Sequence, residues 1–195
     1  PYLIEFPDEV MREKVLFMTR LLEETFQTKM LSHRAGRWAF DSRYAKLLVE
    51  LGYQVDCSVT PRVNWRNAKG APQGNGGTDY QHFPDHAYFM DLDTISRAGN
   101  SPLLEVPMSI QYKHPAWLNT IKQGYDRLRG KYRSPSVNWL RPSGGNAAQM
   151  IQVAQQCLSR GNDYVEFMLH SSEFMPGGSP TFKDEAAIEG LYQDL

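Results

Sequence analysis

Helical and strand-like patterns alternate along the first sixty residues, and this alternation limits the possible folds more than any other feature of the chain. A helical pattern with one apolar face covers residues 7–26, and a second helix is expected between a capping Asp41 and a stop at Gly52. Short strand patterns follow at residues 30–33 and 53–59. Strands that alternate with helices are usually parallel and joined by crossovers, so the sequence predicts an α/β fold.

The remainder of the chain begins with a long irregular segment. Residues 60–101 lack a sustained period and are rich in Gly, Asn, Asp and Pro, which predicts a long loop insertion with at most short hairpins. Further elements are expected as a strand over 103–108, helices over 116–128 and 146–158, a strand over 164–169, and a helix from Thr181 with Asp184 as a capping acid.

The composition favours one globular domain over residues 1–195. Hydrophobic residues make up 41% of the chain, enough for a sizeable core. The 21 Lys and Arg are matched by 22 Asp and Glu, so we expect no broad basic surface and no nucleic-acid partner. Cys57 and Cys157 form no CxxC pair, and no apolar run approaches the roughly 20 residues of a membrane span. We therefore expect a soluble, cytoplasmic protein.

Polar residues stand at the predicted ends of three strands. His33 and Arg34 follow the first, Asp56 lies at the second with Ser58 and Thr60, and His170 follows the last. Such groups converge at the carboxyl-terminal rim of a (β/α) barrel, where a histidine can transfer protons near neutral pH. The alternative is that loops are polar in any case and that His170 only hydrogen-bonds its own loop.

Other patterns carry less chemistry. His82 and His86 have the spacing of a helical metal pair, but Pro84 between them disfavours a helix and hence a metal site. Aromatic residues of the long loop, including Trp65 and Tyr80, could stack on a sugar or pack the loop; packing is the favoured interpretation.

Four segments, taken in order and spacing, resemble the later part of polysaccharide deacetylases of the NodB-like type. The segments are Ser32-His33-Arg34-Ala35-Gly36-Arg37-Trp38-Ala39-Phe40-Asp41, Gly52-Tyr53-Gln54-Val55-Asp56-Cys57-Ser58-Val59-Thr60-Pro61, Leu104-Glu105-Val106-Pro107 and Phe167-Met168-Leu169-His170. The resemblance covers nearly the whole chain and is nearest to the branch associated with cell-surface polysaccharide biosynthesis. It implies a distorted (β/α) barrel that removes N- or O-acetyl groups from an acetylated sugar or polysaccharide.

The resemblance also implies roles for individual residues. Arg34 would orient a catalytic aspartate, His170 would protonate the leaving group as a general acid, and Asp56 would support His170. Arg37, Trp38 and Tyr80 are the expected substrate-binding residues. Family members use a divalent metal, usually zinc, but the Thr-Phe-Asp and His-rich motifs that bind it are not found here. We assign no metal ligand within the chain, expect the ligands upstream of residue 1, and expect the barrel to be incomplete at its N-terminal side.

Two departures from the family pattern leave alternatives open. The Arg-x-Pro-aromatic motif is here Arg34-Ala35-Gly36-Arg37-Trp38, without the proline and with the aromatic displaced by one position, and Met168 replaces the usual leucine. A noncatalytic glycan-binding or scaffold domain on the same barrel is the second hypothesis. A glycoside hydrolase is a weaker third, because Glu105 and Glu173 are the only candidate acids.

Overall fold

The computed structural model describes residues 1–129 and 135–195, which divide into two compact units. Unit 1 is Pro1–Pro107 and unit 2 is Met108–Leu195. The described residues have a mixed α/β architecture, and their strands form two small sheets rather than a closed barrel. The single domain expected over residues 1–195 stays a prediction.

Unit 1 contains a four-stranded sheet and two helices. Its elements are α1 (Asp8–Phe26), β1 (Ser32–His33), α2 (Ser42–Glu50), β2 (Val55–Asp56), β3 (Tyr88–Phe89) and β4 (Leu104–Glu105). The strand order is β1-β2-β4-β3, with β1, β2 and β4 mutually parallel and β3 antiparallel at the edge. The predicted crossover between parallel strands is thus confirmed, with α2 connecting β1 to β2.

Local signals explain the boundaries of the helices of unit 1. Acidic Asp8 and Glu9 occupy the first turn of α1, where the helix dipole favours negative charge. The Asp41 side chain caps α2 by accepting a hydrogen bond of 2.9 Å from the Tyr44 N–H. Gly52, just beyond α2, has φ of +85°, a conformation that glycine adopts without strain. Both helices pack together over one apolar core that includes buried aromatic residues of the long loop.

The described part of unit 2 combines an antiparallel strand pair with three α-helices. Its elements are β5 (Ile110–Tyr112), α3 (Ala116–Leu128), β6 (Val137–Trp139), α4 (Ala147–Ser159) and α5 (Glu185–Asp194). One apolar cluster joins Leu140 to α4, and another joins Phe182 to α5. No helix of the described residues is long and apolar enough to cross a membrane.

Two element predictions in unit 2 are wrong. The predicted strand over residues 164–169 does not form; the segment instead makes separate hydrogen bonds, such as that from the Met168 N–H to the Leu140 carbonyl at 3.3 Å. The last helix begins at Glu185 rather than Thr181, because the Asp184 side chain itself caps it, accepting from the Ala187 N–H at 2.9 Å. The pairing of β5 with β6 was not predicted. Strand β3, which forms within the predicted loop of residues 60–101, was not predicted either.

Candidate functional site

Three ionisable residues end the three parallel strands of unit 1 and lie in one row. His33 ends β1, Asp56 ends β2 and Glu105 ends β4, and the sheet register pairs His33 with Asp56 and Asp56 with Glu105. Residues paired in register place their side chains on the same face of a sheet. The row therefore brings an imidazole and two carboxyl groups together at the carboxyl end of the sheet, where α/β proteins assemble their sites.

His33 is held at both ring nitrogens. Its Nδ1 lies 2.6 Å from Asp56 Oδ1, and its Nε2 lies 2.8 Å from the Tyr44 hydroxyl. Burial, with the nearby negative charge of Asp56, raises the pKa of Tyr44, so the hydroxyl keeps its proton. In the neutral imidazole, donation by Tyr44 to Nε2 leaves the ring proton on Nδ1, directed at Asp56.

The His33 ring also borders a cleft of about 450 Å³ in unit 1, together with Tyr53 and apolar residues of α1. The side chain is 12% exposed. Because both ring nitrogens already make hydrogen bonds, a molecule in the cleft could exchange a proton with His33 only by breaking one of them. The arrangement favours a positioning role for this histidine.

Asp56 is wholly buried and is satisfied within its own unit. Besides His33, its carboxylate accepts from the Ser58 hydroxyl at 2.8 Å and from the Ser58 N–H at 3.1 Å. The same Ser58 hydroxyl accepts from the Ala35 N–H at 2.8 Å, which ties the loop after β1 to Asp56. The support of His170 expected of Asp56 stays a prediction, and the histidine that Asp56 contacts in unit 1 is His33.

Glu105 completes the row as a second buried carboxyl group. Its Oε1 accepts from the Val59 N–H at 2.9 Å, and its side chain also interacts with the Asp56 carboxyl group. Burial, and next the negative charge of Asp56, raise the pKa of Glu105 well above its usual range. The protonated acid is thus favoured, which removes the repulsion between the two carboxylates and gives Oε2 a proton to donate.

The loop after β1 carries the three predicted residues Arg34, Arg37 and Trp38. Arg37 and Trp38 both adopt left-handed backbone conformations, with φ of 54° and 59°, inside a 3₁₀ turn over Gly36–Trp38. Non-glycine residues rarely occupy this region, and consecutive examples often mark functional loops. The Arg34 guanidinium lies 5.4 Å from the Trp38 ring centroid, and that of Arg37 lies 4.8 Å from the Tyr2 ring centroid.

Arg34 and Arg37 are exposed and Trp38 is half-buried, so this loop presents two cations and part of an indole at the surface of unit 1. Tyr80 differs from the other predicted substrate-binding residues. Its side chain is 0% exposed, and its hydroxyl donates to the Trp38 carbonyl at 2.7 Å. The ring packs edge-to-face on Phe83 with centroids 4.9 Å apart. Tyr80 thus packs inside unit 1, and the substrate-binding role expected of it stays a prediction.

His170 lies in unit 2, at the start of a turn that is held by hydrogen bonds to Glu173. It directly precedes a 3₁₀ turn over Ser171–Phe174, and its side chain is exposed. The buried Glu173 accepts from the His170 N–H at 2.8 Å and from the Arg141 guanidinium at 2.8 Å. Burial raises the pKa of Glu173, but these two donors outweigh burial and hold the pKa below its usual value. A charged carboxylate therefore stabilises the turn by accepting hydrogen bonds, and the imidazole of His170 is accessible to solvent.

The predicted catalytic residues belong to different units. Arg34 and Asp56 are in unit 1 and His170 is in unit 2, so their convergence on one rim stays a prediction. The sequence placed His33 at a strand end but did not predict its hydrogen bonds. Glu105 was considered only as a candidate acid of a glycoside hydrolase. The hydroxyl of Tyr44 was not predicted as a partner of His33. One sequence feature could have identified Glu105 as a member of the row. It stands at the end of a predicted strand, and an acid at that position is expected to lie near the residues at the other strand ends.

The described residues offer no fit for a metal ion. No group of three or more His, Cys, Asp or Glu side chains among them could hold one. In the row, both nitrogens of His33 and both oxygens of Asp56 already make hydrogen bonds within the protein. Comparison of the chain with models of protein families, with curated proteins and with solved structures finds no match.

Proposed function

We propose that the chain belongs to a metal-dependent carbohydrate deacetylase of the NodB-like type, which hydrolyses N- or O-acetyl groups of a sugar or polysaccharide. The parallel strands β1, β2 and β4 and their strand-end residues are compatible with a distorted (β/α) barrel, which is part of the proposal. The four motif segments support the same family. The zinc would be held by the Thr-Phe-Asp and His-rich motifs of the family, and the steps assigned to this chain involve its own side chains alone.

The observation that carries the proposal is the accessible imidazole of His170 at the start of its hydrogen-bonded turn. When an acetyl group is removed, the departing amine or alcohol needs a proton, and an exposed histidine can supply one near neutral pH. The hydrogen bonds from His170 and Arg141 to Glu173 restrict the backbone that carries the imidazole. A restrained position favours proton transfer, because a general acid must stay within hydrogen-bond reach of the leaving atom.

Arg34 has the second role in the proposal. Its guanidinium would orient the aspartate base of the family's Thr-Phe-Asp motif, and a planar, permanently charged group suits the contact with a carboxylate. The Trp38 ring beneath the guanidinium limits its movement. Asp56 and Ser58 contribute by anchoring the backbone of this loop at Ala35.

Acetate release from acetylated sugars by the full-length protein tests the proposal. We expect activity that is abolished by a chelator and restored by zinc. His170→Asn should lower kcat by about 10² to 10⁴-fold, the usual contribution of a general acid. His86→Asn, which changes an exposed loop histidine, is the matched control and should leave kcat unchanged. Full activity of His170→Asn would remove that histidine from the mechanism.

A noncatalytic glycan-binding domain is the second candidate, and the half-buried Trp38 with Arg34 above its ring favours it. A partly exposed indole is a common platform for a sugar ring. This function predicts that acetylated oligosaccharides bind and that Trp38→Ala abolishes binding, while no acetate appears with or without zinc. Release of acetate that depends on His170 would favour the deacetylase over the noncatalytic glycan-binding domain.

A further inference from the structure

Helix α3 of unit 2 exposes five apolar side chains. Trp117 and Ile121 are each 63% exposed, Leu128 is 88% exposed, and Leu118 and Tyr125 are also exposed. At 3.6 residues per turn these five positions share one face of the helix, about a third of its circumference. Asn119 lies on the opposite face of the helix. It is buried, and its side-chain amide donates to the His114 carbonyl at 3.1 Å.

This arrangement reverses the usual one, in which a surface helix buries its apolar face. A contiguous apolar patch with aromatic residues, exposed on a folded protein, marks a surface that binds another body. Trp and Tyr have a further preference, since their amphipathic rings concentrate at the boundary between lipid and water.

The charge around α3 selects the kind of partner. Residues 113–129 contain four Lys or Arg and one Asp, in a chain whose net charge is -1. Arg129 is exposed, and its guanidinium lies 4.3 Å from the Tyr125 ring centroid, so a cation borders the apolar face directly. A short helix with a basic border and an outward Trp, Ile, Tyr and Leu face has the composition of helices that lie in a membrane interface.

We propose that α3 docks on an anionic lipid surface, with Trp117, Ile121 and Leu128 inserted among the acyl chains and Arg129 on the phosphate groups. The helix lies along the surface and does not cross the bilayer, in keeping with its thirteen residues. Nucleic acid is the less suitable anion, because phosphate contacts require the cations and leave the apolar face unused. The inference is independent of the proposed enzymatic activity.

Helix α1 provides an internal contrast. It also exposes apolar side chains, among them Phe17 at 65%, but its nineteen residues contain five acids against three basic residues. An anionic surface would repel α1 and attract α3. Phe17 is therefore a matched control for Ile121, with nearly the same exposure on a helix of opposite charge.

Co-sedimentation of the chain with vesicles tests the proposal, using phosphatidylcholine alone and phosphatidylcholine mixed with phosphatidylglycerol. We expect binding to the mixed vesicles, little binding to phosphatidylcholine, and release in high salt. Ile121→Asp should lower the affinity by about tenfold or more, because a charge replaces a side chain inserted in lipid. Arg129→Ala should lower it about fivefold, the effect of one basic side chain at an anionic surface. Phe17→Asp should have no effect, and circular dichroism would check that each variant is folded.

Three outcomes would overturn the proposal. They are equal binding to both kinds of vesicle, equal loss of binding in Phe17→Asp and Ile121→Asp, and absence of vesicle binding. If vesicles do not bind and Ile121→Asp instead dissociates a dimer, a second copy of the chain covers α3. If they do not bind and a single-stranded oligonucleotide binds through Arg129, the partner is a nucleic acid.

Discussion

His33 and His170 were both predicted at strand ends, yet their surroundings differ in the two units. His33 is nearly buried and hydrogen-bonded at both ring nitrogens, to Asp56 and to Tyr44. His170 is exposed, and its backbone N–H donates to the Glu173 carboxylate at 2.8 Å. An imidazole that is hydrogen-bonded inside the protein at both nitrogens stabilises the fold, whereas the imidazole of His170 is exposed at the surface of its unit.

The same contrast extends to the acids beside each histidine. Glu105, in the row with Asp56, has a raised pKa because it is buried next to a like charge. Glu173, beside His170, has a lowered pKa because an N–H and a guanidinium outweigh its burial. Burial alone therefore does not set the charge of a carboxyl group, and the partners decide it.

The largest effect should come from His33→Ala. Removal of the imidazole leaves the buried Asp56 carboxylate with Ser58 as its remaining hydrogen-bond donor and opens a gap beside it, and we expect the free energy of unfolding to fall by about 3 to 5 kcal/mol. Urea unfolding at neutral pH measures it. His170→Ala is the control and should change stability by less than about 0.5 kcal/mol, since its ring is exposed. Equal effects of the two substitutions would abolish the distinction between the histidines.

Glu105→Gln should change how stability depends on pH. A raised pKa in the folded state means that the stabilising form of Glu105 is the acid, so its contribution is complete below about pH 4.3 and is lost as the pH rises through the folded value. The slope from this one group reaches at most about 1.4 kcal/mol per pH unit. Glutamine keeps a donor and an acceptor without titrating, so the variant should lose less stability than the wild type on the alkaline side. Denaturant unfolding at a series of pH values compares the two curves, and parallel curves would contradict the assignment.

Glu173→Gln should have the opposite pH dependence and a smaller effect. A lowered folded pKa means that the carboxylate stabilises unit 2 above about pH 4.3, and that this contribution disappears as the pH falls through the folded value. We expect the variant to be less stable than the wild type by about 2 kcal/mol at neutral pH, through weakened hydrogen bonds to Arg141 and His170. The difference should vanish in acid. A difference that persists there would show that the contacts do not depend on charge.

Much of unit 1 could be predicted from local signals. The capping Asp41, the Gly52 stop and the one-sided apolar pattern of residues 7–26 give α1, α2 and the parallel β1–β2 connection, because each depends on nearby residues. The pairing of β4 with β3 joins Glu105 to Tyr88, and that of β5 with β6 joins Ile110 to Trp139. No short-range pattern marks such pairings, since they form only when the chain is compact.

The site was predicted less well than the fold. The catalytic roles assigned to Arg34, Asp56 and His170 from the sequence stay predictions. The partner of a buried carboxylate depends on the sheet register, and only the sheet shows that His33 and Glu105 flank Asp56. The strand predicted before His170 failed for a related reason. Its apolar residues fit a strand, but a ladder needs a neighbouring strand in register along its length, and residues 164–169 meet their neighbours only at separate points.

The row of His33, Asp56 and Glu105 also makes the pairing of very short strands selective. β1, β2 and β4 have two residues each, so their few backbone hydrogen bonds discriminate weakly between alternative alignments. A slip of one residue at β2 would turn Asp56 to the opposite face, away from His33 and Glu105. The loss of these side-chain contacts adds to the cost of the lost backbone hydrogen bonds. The contacts among the ionisable groups thereby favour the native strand register over slipped registers that the backbone hydrogen bonds alone would not distinguish.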